Sequence, residues 1–291
     1  VNPFHRRCVL AHFLFLLLPA SALAAESSFS VSPATLEAVQ GTIVTVRVSG
    51  PELEGVRALH KGVTVPFFPA GPPGTYEALL GVDLEEKPGS LKVLIKTPGH
   101  EINPKAVPLR VKKGAFPTER LSVSEAFDRF DKPTLARISR EQARMNRLWP
   151  RLGDRRLWKG PFVAPVPGGK TSAFGRRRVV NGTPRSPHTG VDLRAPLGAP
   201  VIAANDGKVV LRDEFFFNGK SIVLDHGWGL YTMYFHLSEF RVEEGARVRK
   251  GQVIGLAGMT GRVTGPHLHW GARLNQARID PFQLLEKVRA D

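Results

Sequence analysis

Glycine and proline interrupt this chain so often that a long helix has almost nowhere to form: 29 Gly and 24 Pro fall among 291 residues. The runs between these breaks are rich in Val, Ile, Thr and aromatic residues, which suit a pleated, half-buried strand. The chain is therefore expected to be mainly β. From Phe29 to Lys112 the runs alternate, with Val44, Val46 and Val48 on one face, and likewise Leu91, Val93 and Ile95. Turn residues cluster at Gly71–Gly74 and Lys87–Gly89. Residues 26–113 read as an N-terminal immunoglobulin-like, antiparallel β-sandwich.

Residues 114–160 differ. Leu135, Ile138, Met145, Leu148 and Trp149 recur at spacings near three and four after Pro133, so a linker with one amphipathic helix packed across the domain interface is expected. Residues 161–291 return to a Gly-rich β pattern. Strands are expected at Val201–Ala203, Lys208–Leu211, Ser221–Asp225, Tyr231–Leu237, Val253–Ala257 and Leu268–Arg273, with a short closing helix near Phe282–Val288. This reads as a C-terminal antiparallel β domain.

Residues 1–25 have the form of a secretory signal peptide: His5, Arg6 and Arg7 precede an apolar run from Cys8 to Pro19, followed by Ala22-Leu23-Ala24. The run is shorter than the roughly 20 residues of a membrane span. Export to the periplasm or cell envelope is expected, with no stable membrane insertion after signal cleavage. Cys8 is the only cysteine, so a metal site beyond the signal must use histidine and carboxylate. The formal charge of +15 implies an anionic partner. Nucleic acid is not the expected one, because the chain reads as exported and carries no recognisable nucleic-acid motif.

Five residues carry chemistry: His188 and Asp192 in Pro187-His-Thr-Gly-Val-Asp192, His236 in Tyr234-Phe-His-Leu237, and His267 and His269 in Pro266-His-Leu-His-Trp270. Residues two or four apart on an extended segment share a face. His188 and Asp192 then oppose Val191 and Leu193, and His267 and His269 oppose Leu268 and Trp270. By the same rule Thr232, Tyr234 and His236 oppose Met233, Phe235 and Leu237. Two imidazoles and one carboxylate suit Zn²⁺, and three protein ligands leave a fourth position for water. His-Glu-x-x-His is absent, so spare histidines are the candidates for proton transfer.

The stretch from about Phe162 to Leu285 resembles the lysostaphin-type, or LytM-like, murein endopeptidases, through His-x-x-x-Asp followed much later by His-x-His. Phe174-Gly-Arg176, Val223–Gly227, Lys250–Gly255 and Gly258–His267 extend the match. The resemblance implies that His188, Asp192 and His269 hold one Zn²⁺ per chain and that His236 and His267 are catalytic. His267 would take the proton of water and His236 would stabilise the oxyanion. The substrate implied is peptidoglycan, cut at amide bonds of stem peptides or crossbridges, and a cell-envelope regulator is carried as a further partner. The alternative is a noncatalytic peptidoglycan-binding or hydrolase-activating protein on the same fold, against which the complete set of five residues argues.

His226 is expected to be structural, and His60 and His100 to be surface or locally bonded. The cluster Arg176-Arg-Arg178 with Arg185 reads equally as a solvated face or as a contact for acidic groups of the stem peptide. Phe215-Phe-Phe217 stands where relatives of the resemblance often carry a short Gly-rich stretch, which bears on substrate detail.

Overall fold

The computed structural model describes residues 29–98, 102–122, 130–153 and 155–288. The signal segment with His5, Cys8 and His12, and also His100, lie outside the described residues. Among those described, no helix is long and apolar enough to cross a membrane.

Alternating apolar residues build two facing sheets at the N-terminal end. One joins β1 (Ser30–Ser32), β3 (Ile43–Ser49), β7 (Thr75–Gly81) and β6 (Phe68–Pro69) in that order. The other joins β2 (Leu36–Val39), β9 (Lys105–Lys112), β8 (Gly89–Lys96), β4 (Arg57–His60) and β5 (Val63–Pro66). Val46, Val48, Leu80, Val93, Ile95 and Leu109 fill the space between them. One pairing departs from the expected antiparallel pattern: β2 and β9 run parallel, from Leu36 opposite Leu109 to Val39 opposite Lys112. The chain crosses the whole sandwich between these two strands, so no hairpin fixes their relative direction.

The linker does more than connect. Its strand β10 (Thr118–Leu121) pairs in parallel with β12 (Arg177–Val180), which turns back into β13 (Thr183–Pro184). Helix α1 (Lys132–Asn146) starts where Asp131 Oδ1 accepts from the Thr134 N–H at 2.9 Å, with Pro133 in the first turn, where its missing N–H costs nothing. The apolar residues at its C-terminal end, Met145, Leu148 and Trp149, join Leu211, Phe215, Val223, Tyr231, Met233 and Phe235 in a separate core. The helix thus covers one face of the large C-terminal sheet and not the joint between modules, and Leu135, at its other end, is half exposed.

That large sheet is antiparallel throughout. Its order is β11 (Lys170–Ser172), β14 (Gly190–Leu193), β21 (Leu268–Leu274), β18 (Leu230–Phe240), β17 (Gly219–Asp225), β16 (Gly207–Phe215) and β19 (Arg247–Val248). β20 (Val253–Ala257) pairs with β15 (Pro200–Ile202) and β18, and β22 (Ala277–Ile279) pairs with β21. A closing helix α2 (Phe282–Lys287) follows. The face opposite α1 buries Val191, Leu193, Ile222, Tyr234, Leu268 and Trp270. Ile43, Leu79 and Leu84 of the sandwich enter this same core, so the two modules share apolar packing.

The joint is close. A Cβ on Gly81 would lie 2.4 Å from the Leu274 carbonyl oxygen, so only glycine permits this approach. The Gly81 N–H donates to Asn275 Oδ1 at 3.2 Å, and Arg278 holds Asp83 at 2.6 Å and Glu85 at 2.8 Å.

Candidate metal centre

β14 and β21 are paired so that Asp192 lies opposite His269, which puts a carboxylate and an imidazole on one face of the sheet. His188 reaches them from just before β14, where its backbone N–H donates to Arg176 O and its carbonyl accepts from the Gly175 N–H. His188 Nε2, His269 Nδ1 and Asp192 Oδ1 lie 3.0 Å from one another in all three pairings. Val191, Leu193, Leu268 and Trp270 point into the core on the other side, as alternation requires. A Cβ on Gly190 would stand 2.5 Å from His269 Nε2, so this glycine makes the room in which the imidazole lies.

The donor set fits a cation. His188 Nδ1–H donates to the Ala173 carbonyl at 2.9 Å, which leaves Nε2 bare toward the centre. A bare imidazole nitrogen, a second imidazole nitrogen and a carboxylate oxygen are electron-rich, and one positive ion among them satisfies all three. Burial opposes ionisation of Asp192, but wherever His188 or His269 turns a ring proton toward its Oδ1 at 3.0 Å that contact outweighs burial and holds the carboxyl well below the usual range. Burial pushes His269 down.

The other two histidines stand beside this centre. His267 Nδ1–H donates to Gly265 O at 2.9 Å, and its Nε2 lies 3.7 Å from Asp192 Oδ1. His236 Nδ1–H donates to Thr260 O at 3.0 Å, and its ring centre is 4.9 Å from that of His267. Burial, followed by the charge of His269, lowers His236 to about 3, so its resting imidazole is neutral. With Nδ1 of each ring held by a carbonyl, Nε2 is the nitrogen left to exchange a proton.

His236 arrives by a route that alternation does not describe. Phe235 lies opposite His269 and stacks on its ring at 5.3 Å, and Met233 lies opposite Gly271, so these two apolar residues face the site. Thr232 and Tyr234 instead point inward: Thr232 Oγ1 is 2.7 Å from His226 Nε2 and 2.9 Å from Tyr234 Oη. The expected grouping of His236 with Thr232 and Tyr234 is therefore reversed. His236 takes φ of 65°, a left-handed conformation rare outside glycine, and this swings its side chain to the face of Phe235.

His226 is fully buried and bonded on both nitrogens, which agrees with a structural role. His60 is buried, with Nδ1 3.4 Å from Lys92 O. Arg176 and Arg178 share Glu119 of β10. Phe216 and Phe217 close the β16–β17 turn and pack edge-on against Phe130 just before α1. A cavity of about 400 Å³ opens between the histidines and α1, with Gln142, Met145, Trp149, Thr189, Phe217 and Asn218 in its walls. The part played by α1 was not visible in the sequence, whose only signal was a helical stripe ending in Trp149.

An antiparallel sheet that brings two imidazoles and a carboxylate together, with two further imidazoles turned toward them, has the arrangement of the metal-dependent hydrolase class. The description Peptidase family M23 matches residues 186–281. A solved Pseudomonas aeruginosa structure described as a candidate peptidase M23 is 31% identical, covering 85% of this chain and 94% of that one with a TM-score of 0.69. The chain belongs to peptidase family M23. Among curated relatives, Peptidoglycan DD-endopeptidase ShyA of Vibrio cholerae is 46% identical over 101 residues, 34% of this chain and 24% of that protein. DD-carboxypeptidase/endopeptidase Mpg of Neisseria meningitidis is 46% identical over 97 residues, 33% of this chain and 22% of that protein. The match thus spans about a quarter of the length of these relatives.

Proposed function

We propose that this chain is an exported zinc-dependent endopeptidase hydrolysing amide bonds in peptidoglycan stem peptides or crossbridges. The observation that carries the reading is the convergence of His188, Asp192 and His269, whose donor atoms all lie within 4.8 Å of one another, in a member of a peptidase family. In this reading residues 26–113 form a positioning or occluding module, 114–160 a linker and 161–291 the catalytic domain. Export rests on the signal pattern and on relatives named for peptidoglycan.

His188, Asp192 and His269 would hold the zinc. When bound there, the ion would supply Lewis-acid polarisation of the scissile carbonyl and acidify water. His267 receives a proton from the attacking water at Nε2 and returns it to the leaving amine. His236 is assigned the support of the oxyanion, with its ring neutral. Phe235 beside His269 keeps the reacting groups away from bulk water. A noncatalytic reading gains nothing from the site, because all five residues are present and gathered.

Digestion of purified sacculi with the zinc-loaded chain, followed by mass analysis of released fragments, tests this. New amine and carboxyl ends at a peptide bond are expected. Intact sacculi from a chain carrying one equivalent of zinc would refute the activity.

A further inference from the structure

The cavity beside the metal donors is lined by three arginines, Arg178, Arg273 and Arg278, and by no Asp or Glu among the described residues. Two of the three have a carboxylate within ion-pair distance. Arg278 is held by Asp83 and Glu85, and Arg178 by Glu119 at 3.4 Å. Arg273 has no carboxylate within ion-pair distance among the described residues. Asp83 is the acid whose charge reaches it, yet both oxygens of that carboxylate accept from Arg278. Burial, and then repulsion from Arg278 directly across the β21–β22 hairpin, lower Arg273 to about 10.

Its position is nonetheless fixed. The guanidinium lies 4.7 Å from the Trp149 ring centre, and Nη1 donates to Gln276 O at 2.8 Å. These contacts orient the group without neutralising it. Arg273 shares a strand and a face with His269 four residues away, about 13 Å at 3.3 Å per residue. Between them stands Gly271, which adds no side chain to the path.

We propose that Arg273 is a recognition site for a carboxylate of the substrate, which is an acidic peptide lying extended along this cavity with that carboxylate about four residues from the bond cut. The planar fork accepts a carboxylate through two parallel hydrogen bonds, and partial burial strengthens them relative to water. A cation held in place without a partner disfavours the empty site, and ligand binding removes that penalty. This inference rests on the peptidase reading and names the substrate class of the same site.

The test pairs two peptides, one with a free carboxylate at that distance from the scissile bond and one with the same group amidated. The zinc-loaded full chain is expected to favour the acid about 10–100-fold in kcat/KM, chiefly through KM, as a charge-assisted pair supplies. Arg273→Met should bring that ratio close to one with zinc content and melting temperature retained, and Arg273→Lys should restore part of it. An Arg273→Met chain that keeps the full preference would overturn the site. Should neither peptide be cut, calorimetry on the same full chain decides separately. Equal binding of acid and amide would sink the Arg273 site, whereas preferential, Arg273-dependent binding would uphold it and leave only the peptidase reading refuted.

Discussion

Whether a histidine can hold an ion or move a proton depends first on which ring nitrogen is already engaged. His269 offers Nδ1 at 3.0 Å from the other two donors, while His267 spends Nδ1 on Gly265 O and brings Nε2 only to 3.7 Å from Asp192. His267→Ala is therefore expected to keep nearly full zinc and to lower kcat about 10²–10⁴-fold, the usual worth of a positioned base. His269→Ala should lose the metal, and elemental analysis of the two variants separates the roles; zinc lost from the first and kept by the second would exchange them. Gly190→Ala places a methyl 2.5 Å from His269 Nε2 and from Trp270 O, so metal content should fall at least about tenfold with a lower melting temperature. All five residues were legible because their motifs fix spacing along the chain. The side to which His236 points was not, since one left-handed φ undoes a two-residue alternation without any mark in Tyr234-Phe-His-Leu237.

Among the elements, α1 and the turn after it join the linker to the site. The helix itself was legible from Pro133 and its stripe, whereas its destination depends on Met145 and Trp149 meeting strands some eighty residues later in the chain. Trp149 is 6% exposed and packs edge-on against Tyr231 at 5.5 Å. Trp149→Ala should cost about 3–5 kcal/mol, read by chemical denaturation. Because the same ring orients Arg273, a Trp149→Phe chain, which keeps most of the packing, should retain more of the acid preference than Trp149→Ala.

On the scale of the whole molecule, acid should act in two stages. His226 is buried as the neutral imidazole and lowered to about 4, mainly by burial. Between its ordinary value near 6.5 and 4 the unfolded chain binds the extra proton, so stability complete above 6.5 declines as pH falls, by about 3 kcal/mol in all. His226→Gln should lessen the decline across that window in urea titrations, with His60, His236 and His269, also lowered by burial, supplying the rest. Asp83 behaves differently: burial would raise it, but hydrogen bonds from Arg278 hold it below 3.8. The hold it gives the sandwich is present above that ordinary value and fades only as pH drops through the lowered one, so Asp83→Asn should shrink the later stage, to which Asp192 also contributes, and leave the first intact.

The short parallel ladder of β10 on β12 has a mechanical side. Arg177 N–H donates to Pro117 O at 2.9 Å, and the neighbouring Arg176 carbonyl receives the backbone N–H of His188 at 2.9 Å. Tension that reaches Thr118–Leu121 loads this ladder in shear, where its bonds share the force, and lies within two hydrogen bonds of His188. The ladder is in this sense a mechanical link: strain on the linker strand is delivered to the backbone that positions His188.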